Sequence, residues 1–314
     1  MYRRCLKKII IGWIFLILLV AFLGKISVAA PKAGETSADF LLINVGARAA
    51  GMGGAYTAVT EGANSTFWNP AGLTYVENDE IIIGYFSWYQ DIKMNHASYA
   101  HNMNEKLTFA ASINYLNYGH IDGRNINGIT TGEISAYDFA GGISLGFRVK
   151  QDLSLGLTAK FINQHLDDLN GSTFAFDLGA RYSIGKFNLA AVITNLGPKM
   201  KFDQVSENIP SSFRFGASVA PFNENLLTAI EFEKRMYGGN VIRHGLEYVY
   251  AGQYFIRGGY NYYPDSDDRI FGTGFAVGAG VRINQFEVDY AYTPSEHYSS
   301  EDLHRFSLIF KFGE

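Results

Sequence analysis

From about residue 80 to its end, the chain alternates large apolar residues with small or polar ones at a period of two. Such alternation puts each set on one face of a β-strand. Leu107, Phe109, Ala111, Ile113 and Tyr115 interleave with Thr108, Ala110, Ser112 and Asn114. Phe174, Phe176, Leu178, Ala180 and Tyr182 interleave with Thr173, Asp177, Gly179 and Arg181. Fourteen such segments follow one another: 80–89, 94–103, 106–118, 135–149, 152–165, 173–184, 186–195, 210–220, 224–235, 241–250, 253–263, 270–283, 285–293 and 304–312. The first two alternate poorly, since Ile81, Ile82 and Ile83 are a continuous apolar run.

The connections choose the architecture. Every second one is very short, such as Asn104-Glu105, Lys150-Gln151, Gly185 and Asn284, and most of the others are longer. Short turns at one end, longer loops at the other and an even number of ~10-residue strands are the layout of a transmembrane β-barrel. A β-sandwich would bury its apolar faces and charge its outer ones. Here the polar face is sparsely charged, with near balance: Asp138, Lys160, Asp177, Arg181, Arg214, Glu231, Glu233, Arg243, Glu247, Arg257, Arg282, Glu287, Asp289, Arg305 and Lys311. Buried charges must be paired. A paired network inside a lumen is therefore expected, with Asp177, Arg181, Arg214, Glu231, Arg243, Glu247, Arg257, Arg282, Glu287 and Asp289 as its members. Tyr118, Tyr182, Tyr248, Tyr250, Tyr260, Tyr262, Tyr290 and Tyr292 stand near strand ends, where aromatic girdles belong.

Composition excludes other classes. Charged residues are 18% against a usual ~25%, and aromatics are 15%. That argues against disorder, and a single cysteine forbids a disulfide scaffold. Arg3, Arg4, Lys7 and Lys8 precede an apolar run over 9–23, then Ser27-Val28-Ala29. This is the layout of an export signal cleaved after Ala29. The run is short of the ~20 apolar residues a spanning helix needs. Removing 1–29 takes away Cys5 and five basic residues, leaving 21 basic against 30 acidic residues, net −9. Such a chain has no basic face for nucleic acid. The expected division is a signal peptide over 1–29, an N-terminal hatch over 30–78 and a barrel over 79–314.

Residues 39–78 break the alternation. Residues 47–55 are rich in Ala and Gly, which allows close backbone approach, and Asn69-Pro70 signals a turn or helix start. A plain reading is a periplasmic lead-in with one short helix. A sharper one is a plug, because a 14-stranded barrel needs filling or leaves a pore. Its candidate residues are Asn69, Pro70, Ala71, Gly72 and Leu73, with Arg48, Gly51, Gly53 and Gly54.

Residues 44–56 followed by Trp68-Asn69-Pro70-Ala71-Gly72-Leu73 resemble the opening of the PorV/PorQ family. Those are outer-membrane proteins related to FadL-type long-chain fatty-acid transporters. Thr194-Asn195-Leu196-Gly197 and the closing 304–312 stretch support the resemblance. It implies a 14-stranded barrel with an N-terminal hatch in the outer membrane of a Gram-negative bacterium. It also implies one of two tasks. The first is service to type IX secretion, with partners among cargo proteins carrying C-terminal sorting signals and secretion-system subunits. The second is passage of hydrophobic small molecules through the hatch and barrel wall.

Enzyme motifs fail in context, and no cofactor or metal is expected. Gly142-Ile143-Ser144-Leu145-Gly146 has the spacing of a hydrolase elbow, but that elbow needs a strand-to-helix turn and Ser144 falls mid-strand. Gly272, Gly274 and Gly278 miss the dinucleotide spacing. His96 and His101 fall on opposite strand faces. Asp265, Asp267 and Asp268 lack the Gly and Glu of a calcium loop.

Overall fold

The computed structural model describes residues 36–88, 91–221, 225–264, 274–294 and 302–312. The signal-peptide reading of 1–29 and the aspartates at 265–268 lie outside them. The strands, in chain order, are β1 (Glu80–Ser87), β2 (Lys93–Asn104), β3 (Leu107–Asn117), β4 (Ile121–Arg124), β5 (Thr130–Ile134), β6 (Ala136–Lys150), β7 (Leu153–Leu166), β8 (Leu169–Ile184) and β9 (Phe187–Leu196). There follow β10 (Met200–Phe202), β11 (Val205–Glu207), β12 (Ser212–Val219), β13 (Leu226–Arg235), β14 (Asn240–Tyr250), β15 (Tyr254–Tyr262), β16 (Gly274–Ile283), β17 (Phe286–Thr293) and β18 (Leu303–Lys311).

All but β4, β5, β10 and β11 form one antiparallel ring in sequence order. The ring closes where β1 pairs with β18, from Glu80↔Lys311 to Ser87↔His304. Closure removes the unpaired edges that lipid cannot satisfy. The protein is thus a closed 14-stranded antiparallel β-barrel. The apolar set faces out: Ile113, Phe174, Phe176, Leu178 and Phe275 are each about half exposed. The opposite set is buried, including Thr108, Ser144, Thr158, Asp177 and Arg181. This inversion of the soluble pattern is what a lipid-facing wall requires.

Four details differ from the alternation. β1 alternates after all: Ile82 is 1% exposed while Ile83 is 55% exposed. Its continuous apolar run arises because Ile82 packs inward on Ala63, Leu73 and Val76. β7 and β8 extend to a tight turn, Leu166↔Leu169, where a longer loop was expected. Tyr118 belongs to no girdle; it packs against the inner core and donates to Asp138 Oδ2 at 2.7 Å. Finally, two small hairpins, β4–β5 and β10–β11, grow from the loop end.

The β4–β5 hairpin projects beyond the barrel and carries a titrating clasp. His120 Nδ1 lies 2.8 Å from Glu133 and Nε2 3.1 Å from Asp122. The Glu133 hydrogen bond, with help from Asp122, raises the imidazole above its ordinary value of about 6.5. A group whose value rises on folding stabilises the fold fully below its unfolded value, and loses that contribution as pH climbs through the raised one. The hairpin should therefore loosen as pH rises from about 6.5 through the raised value. NMR titration of the His120 ring and of the 121–134 amides in micelles reads this, and His120→Gln should flatten the profile.

Candidate functional site

Residues 36–78 form no strand but a series of short turns: Asp39–Leu42, Ala47–Gly51, Gly62–Asn64, Ser65–Trp68 and Pro70–Tyr75. Turns this short leave many backbone N–H groups without helical partners, and the inward faces of the barrel strands supply them. Ala47 N donates to Ser307 Oγ of β18 at 2.9 Å. Tyr56 N and Thr57 N donate to Glu231 Oε2 of β13 at 3.1 and 2.8 Å. Ala63 N donates to Glu80 Oε1 of β1 at 2.8 Å. Arg181 of β8 donates from Nη1 to Thr60 O at 3.0 Å. Partners on strands all round the ring put this segment within the lumen.

Backbone approach holds two of its turns. Gly146, Gly156 and Gly179 stand side by side across β6, β7 and β8. A Cβ at Gly146 would lie 2.7 Å from Leu73 Cβ; one at Gly156 would overlap the Pro70 carbonyl, and one at Gly179 the Asn69 side chain. Asn69 holds the turn: its Oδ1 accepts from Ala71 N at 3.1 Å, and its Nδ2 donates to Thr57 O and to Ala180 O. Gly72 packs as closely, since a Cβ there would stand 2.6 Å from Ser65 Oγ. Leu73 is fully buried. Across the barrel, Gly53 adopts φ +63°, and a Cβ there would stand 2.7 Å from Tyr260 N. Gly51 abuts Gly278, and Gly54 abuts Arg243. The hydrolase-like spacing of Gly142 to Gly146 thus has a packing origin, and Ser144 simply bonds Thr158 Oγ1 at 2.8 Å.

The ten network residues fall into linked groups. Arg257 Nε bonds Glu247 at 2.6 Å, its Nη1 bonds Asp289 at 2.5 Å, and Glu287 lies at 3.7 Å. Arg48 of the segment joins there, 2.7 Å from Glu247. Arg282 bonds Glu287 at 2.6 Å. Arg243 bonds Glu231 at 3.0 Å and also Glu233. Arg214 lies 3.6 Å from Glu233 and stacks over the Trp68 ring. Asp177 pairs with Lys160 at 2.8 Å, and Arg181 with Glu61 at 3.0 Å. Asp177 also accepts from Asn195 N at 2.8 Å, where Asn195 takes φ +58°. Thr194 and Asn195 together stand opposite Asp177, a β-bulge in the β8–β9 pairing.

Lys160 and Glu233, both on the expected polar face, join the network, and so do three residues that the sequence reading did not single out: Arg235, 3.6 Å from Glu233, together with Glu61 and Glu80. Arg235 shares the period-two face with Glu233, which was the available signal. Glu61 and Glu80 had none, since their partners are remote in sequence. Arg305 is a different case. It is 5% exposed, donates to Thr293 Oγ1 at 3.2 Å and lies over the Phe86 ring. Among the described residues, no carboxylate comes within 4.0 Å of it.

Among the spaces beside the segment, a small cavity of about 50 Å³ lies between residues 41–45, 66–68 and the wall at Asn114, Lys160 and Arg214, and two others bear on its role. A polar cavity of about 100 Å³ lies toward β1 and β16–β18, beside Arg48, Glu80, Glu287 and Asp289. Buried Asn64 Oδ1 and Asp289 Oδ2 have no partner there, so it suits water. On the opposite wall, outside the ring, an apolar groove of about 420 Å³ is lined by Leu155, Leu178, Ile193, Phe213 and Phe215. Gly156 and Gly179 line it too, so only glycine backbone separates the groove from Asn69 and Pro70.

Among known protein families, that of the type IX secretion system protein PorV matches residues 28–236, well over half the chain. The chain belongs to the PorV family. The barrel is therefore an outer-membrane protein of a Gram-negative bacterium, in a family of the type IX secretion system. No protein in the curated set matches it. Solved structures resemble this PorV-family barrel in fold. The P. putida toluene transporter TodX superimposes with a TM-score of 0.66 at 14% identity, covering 87% of this chain and all of that one. A Pseudomonas aeruginosa FadL homologue gives 0.58 at 12% identity, over 91% of this chain and all of that one. Family and fold are those of secretion and transport barrels rather than enzymes.

Proposed function

We propose that this PorV-family barrel receives exported proteins of the type IX system at its loop end, with its lumen kept shut by residues 36–78. The observation that carries this reading is the filled lumen. A barrel whose interior is bonded to its own chain all round the ring offers a rigid surface, not a pore, to a polypeptide. In this reading Asn69, Pro70, Ala71, Gly72 and Leu73, with Arg48, Gly51, Gly53 and Gly54, are closure residues. The charge network anchors them. Cargo proteins with C-terminal sorting signals and secretion-system subunits are the partners.

One observation favours a second reading. The apolar groove outside Gly156 and Gly179 backs directly onto Asn69 and Pro70. Movement of that turn would join lumen to lipid, a route for hydrophobic small molecules such as those transported by the structural neighbours. A deletion strain assayed two ways separates the readings. Loss of cargo from the cell surface with normal uptake of fatty acids and aromatic hydrocarbons is the expected result. Lost uptake with normal cargo display would sink the secretion role.

A further inference from the structure

The direction in which residues 36–78 run through the barrel has a topological consequence. Thr36 and Ser37 lie against the β10–β11 hairpin and the link after it. Thr36 bridges Asn208, and Ser37 N donates to Asn208 O at 2.9 Å. Ser37 Oγ donates to Glu207 Oε2 at 3.1 Å. Ala38 N donates to Gln164 Oε1 at 2.9 Å, and Gln164 in turn bonds Asp138. Gln164 is near the end of β7, Asp138 near the start of β6, and the 197–211 link follows the end of β9. All three mark the loop end of the barrel. Phe40 and Ile43 pack there with Leu116, Met200, Ile209 and Leu303.

The chain then descends. Ala47 meets Ser307 midway along β18. Leu73 and Val76 pack on Ile82, Ala100 and Ala110 toward the turn end. Asp79 O finally accepts from Phe312 N, and β1 begins there. The path doubles back once, since Ala58 O reaches Ser218 near the turn end of β12 and Trp68 returns to Val45 O and Arg214, but the segment enters at the loop mouth and leaves at the turn mouth.

In a barrel of this class the short turns face the periplasm and the longer loops the exterior. We infer that this chain is threaded from outside inward: Thr36 stands at the external mouth, and residues 36–43 with the β10–β11 hairpin form an outer cap. The inference rests on the outer-membrane reading and its usual orientation. It replaces the expectation of a periplasmic lead-in. It also means that the barrel closes around its own N-terminal arm, because the β1–β18 seam is the join between the ends of the strand series.

Single-cysteine variants in the full chain test this, on a Cys5→Ser background, in intact cells treated with a membrane-impermeant maleimide. Asn127→Cys, on the β4–β5 tip, reports the loop end, and Lys150→Cys reports the turn end. Thr36→Cys should react on intact cells as Asn127→Cys does, while Lys150→Cys should react only once the outer membrane is opened. A peptide tag inserted directly before Thr36 should bind antibody on intact cells, which covers the case of a shielded thiol. If Thr36→Cys and the tag respond only after opening, while Asn127→Cys reacts on intact cells, the threading is wrong. If Asn127→Cys and Lys150→Cys exchange behaviours, the orientation itself is wrong, which is a separate result.

Discussion

Gly179→Leu should unseat the Asn69-Pro70 turn and make the barrel leak. Any Cβ at position 179 overlaps the Asn69 side chain, and the larger branch has no free space inward. Overfilling a packed interior costs about 1–3 kcal/mol. If that cost falls on the seated form alone, the unseated population rises roughly five- to a hundredfold. Single-channel recording in planar bilayers should show frequent openings, and cells should become sensitive to large antibiotics that the outer membrane excludes. Gly258→Leu is the control, since a Cβ there meets nothing within 4 Å; it should leave conductance unchanged. A silent Gly179→Leu in a stably inserted barrel would mean that the seat at Gly146, Gly156 and Gly179 does not hold the closure.

Arg257→Met should be the most destabilising single change in the lumen. Arg257 is fully buried and touches Glu247, Glu287 and Asp289. Removing it leaves Asp289 without a cation among the described residues, while Glu247 keeps Arg48 and Glu287 keeps Arg282. Breaking a buried pair in this way costs about 3–5 kcal/mol. Urea unfolding in micelles, read by heat-modified gel migration, should show a clearly lower midpoint. Adding Asp289→Asn should restore part of the loss, because it removes one stranded charge. An exposed pair gives the contrast: Lys93 and Asp91 lie at the surface, 4.0 Å apart, and Lys93→Met should be nearly neutral.

How much of this was legible in the sequence follows from which forces leave a local trace. The strands were readable because lipid imposes an apolar outer set, as at Leu153, Leu155 and Leu157 or Phe306, Leu308 and Phe310, and alternation makes that visible at once. β1 was blurred for the opposite reason. Its inner face is apolar as well, because Ile82 and Phe86 pack against the segment instead of water. Met94, Leu116 and Ile162 are inward and apolar for the same cause. Tyr118 misled as a girdle residue because position near a strand end does not reveal which way a side chain turns. The hairpins β4–β5 and β10–β11 are too short to establish a period. At the site, Asn69 and Pro70 could be singled out by turn chemistry alone. That they rest on Gly156 and Gly179 could not, since those residues are some ninety and more positions away and carry no side chain to signal a contact. The pairing of Arg48 with Glu247 was hidden by the same separation.

The central claim is that the lumen stays shut while the barrel serves secretion. Thr74 Oγ1 and Ser154 Oγ lie 2.7 Å apart, and Thr66 Oγ1 and Ser98 Oγ 3.2 Å apart, each joining the segment to the wall. Replacing both pairs with cysteines, on the Cys5→Ser background, should let two disulfides lock the segment in place. With the locks verified by gel shift, surface display of type IX cargo should match that of the unlocked barrel. Cargo display that collapses under the locks and returns on reduction would contradict the account.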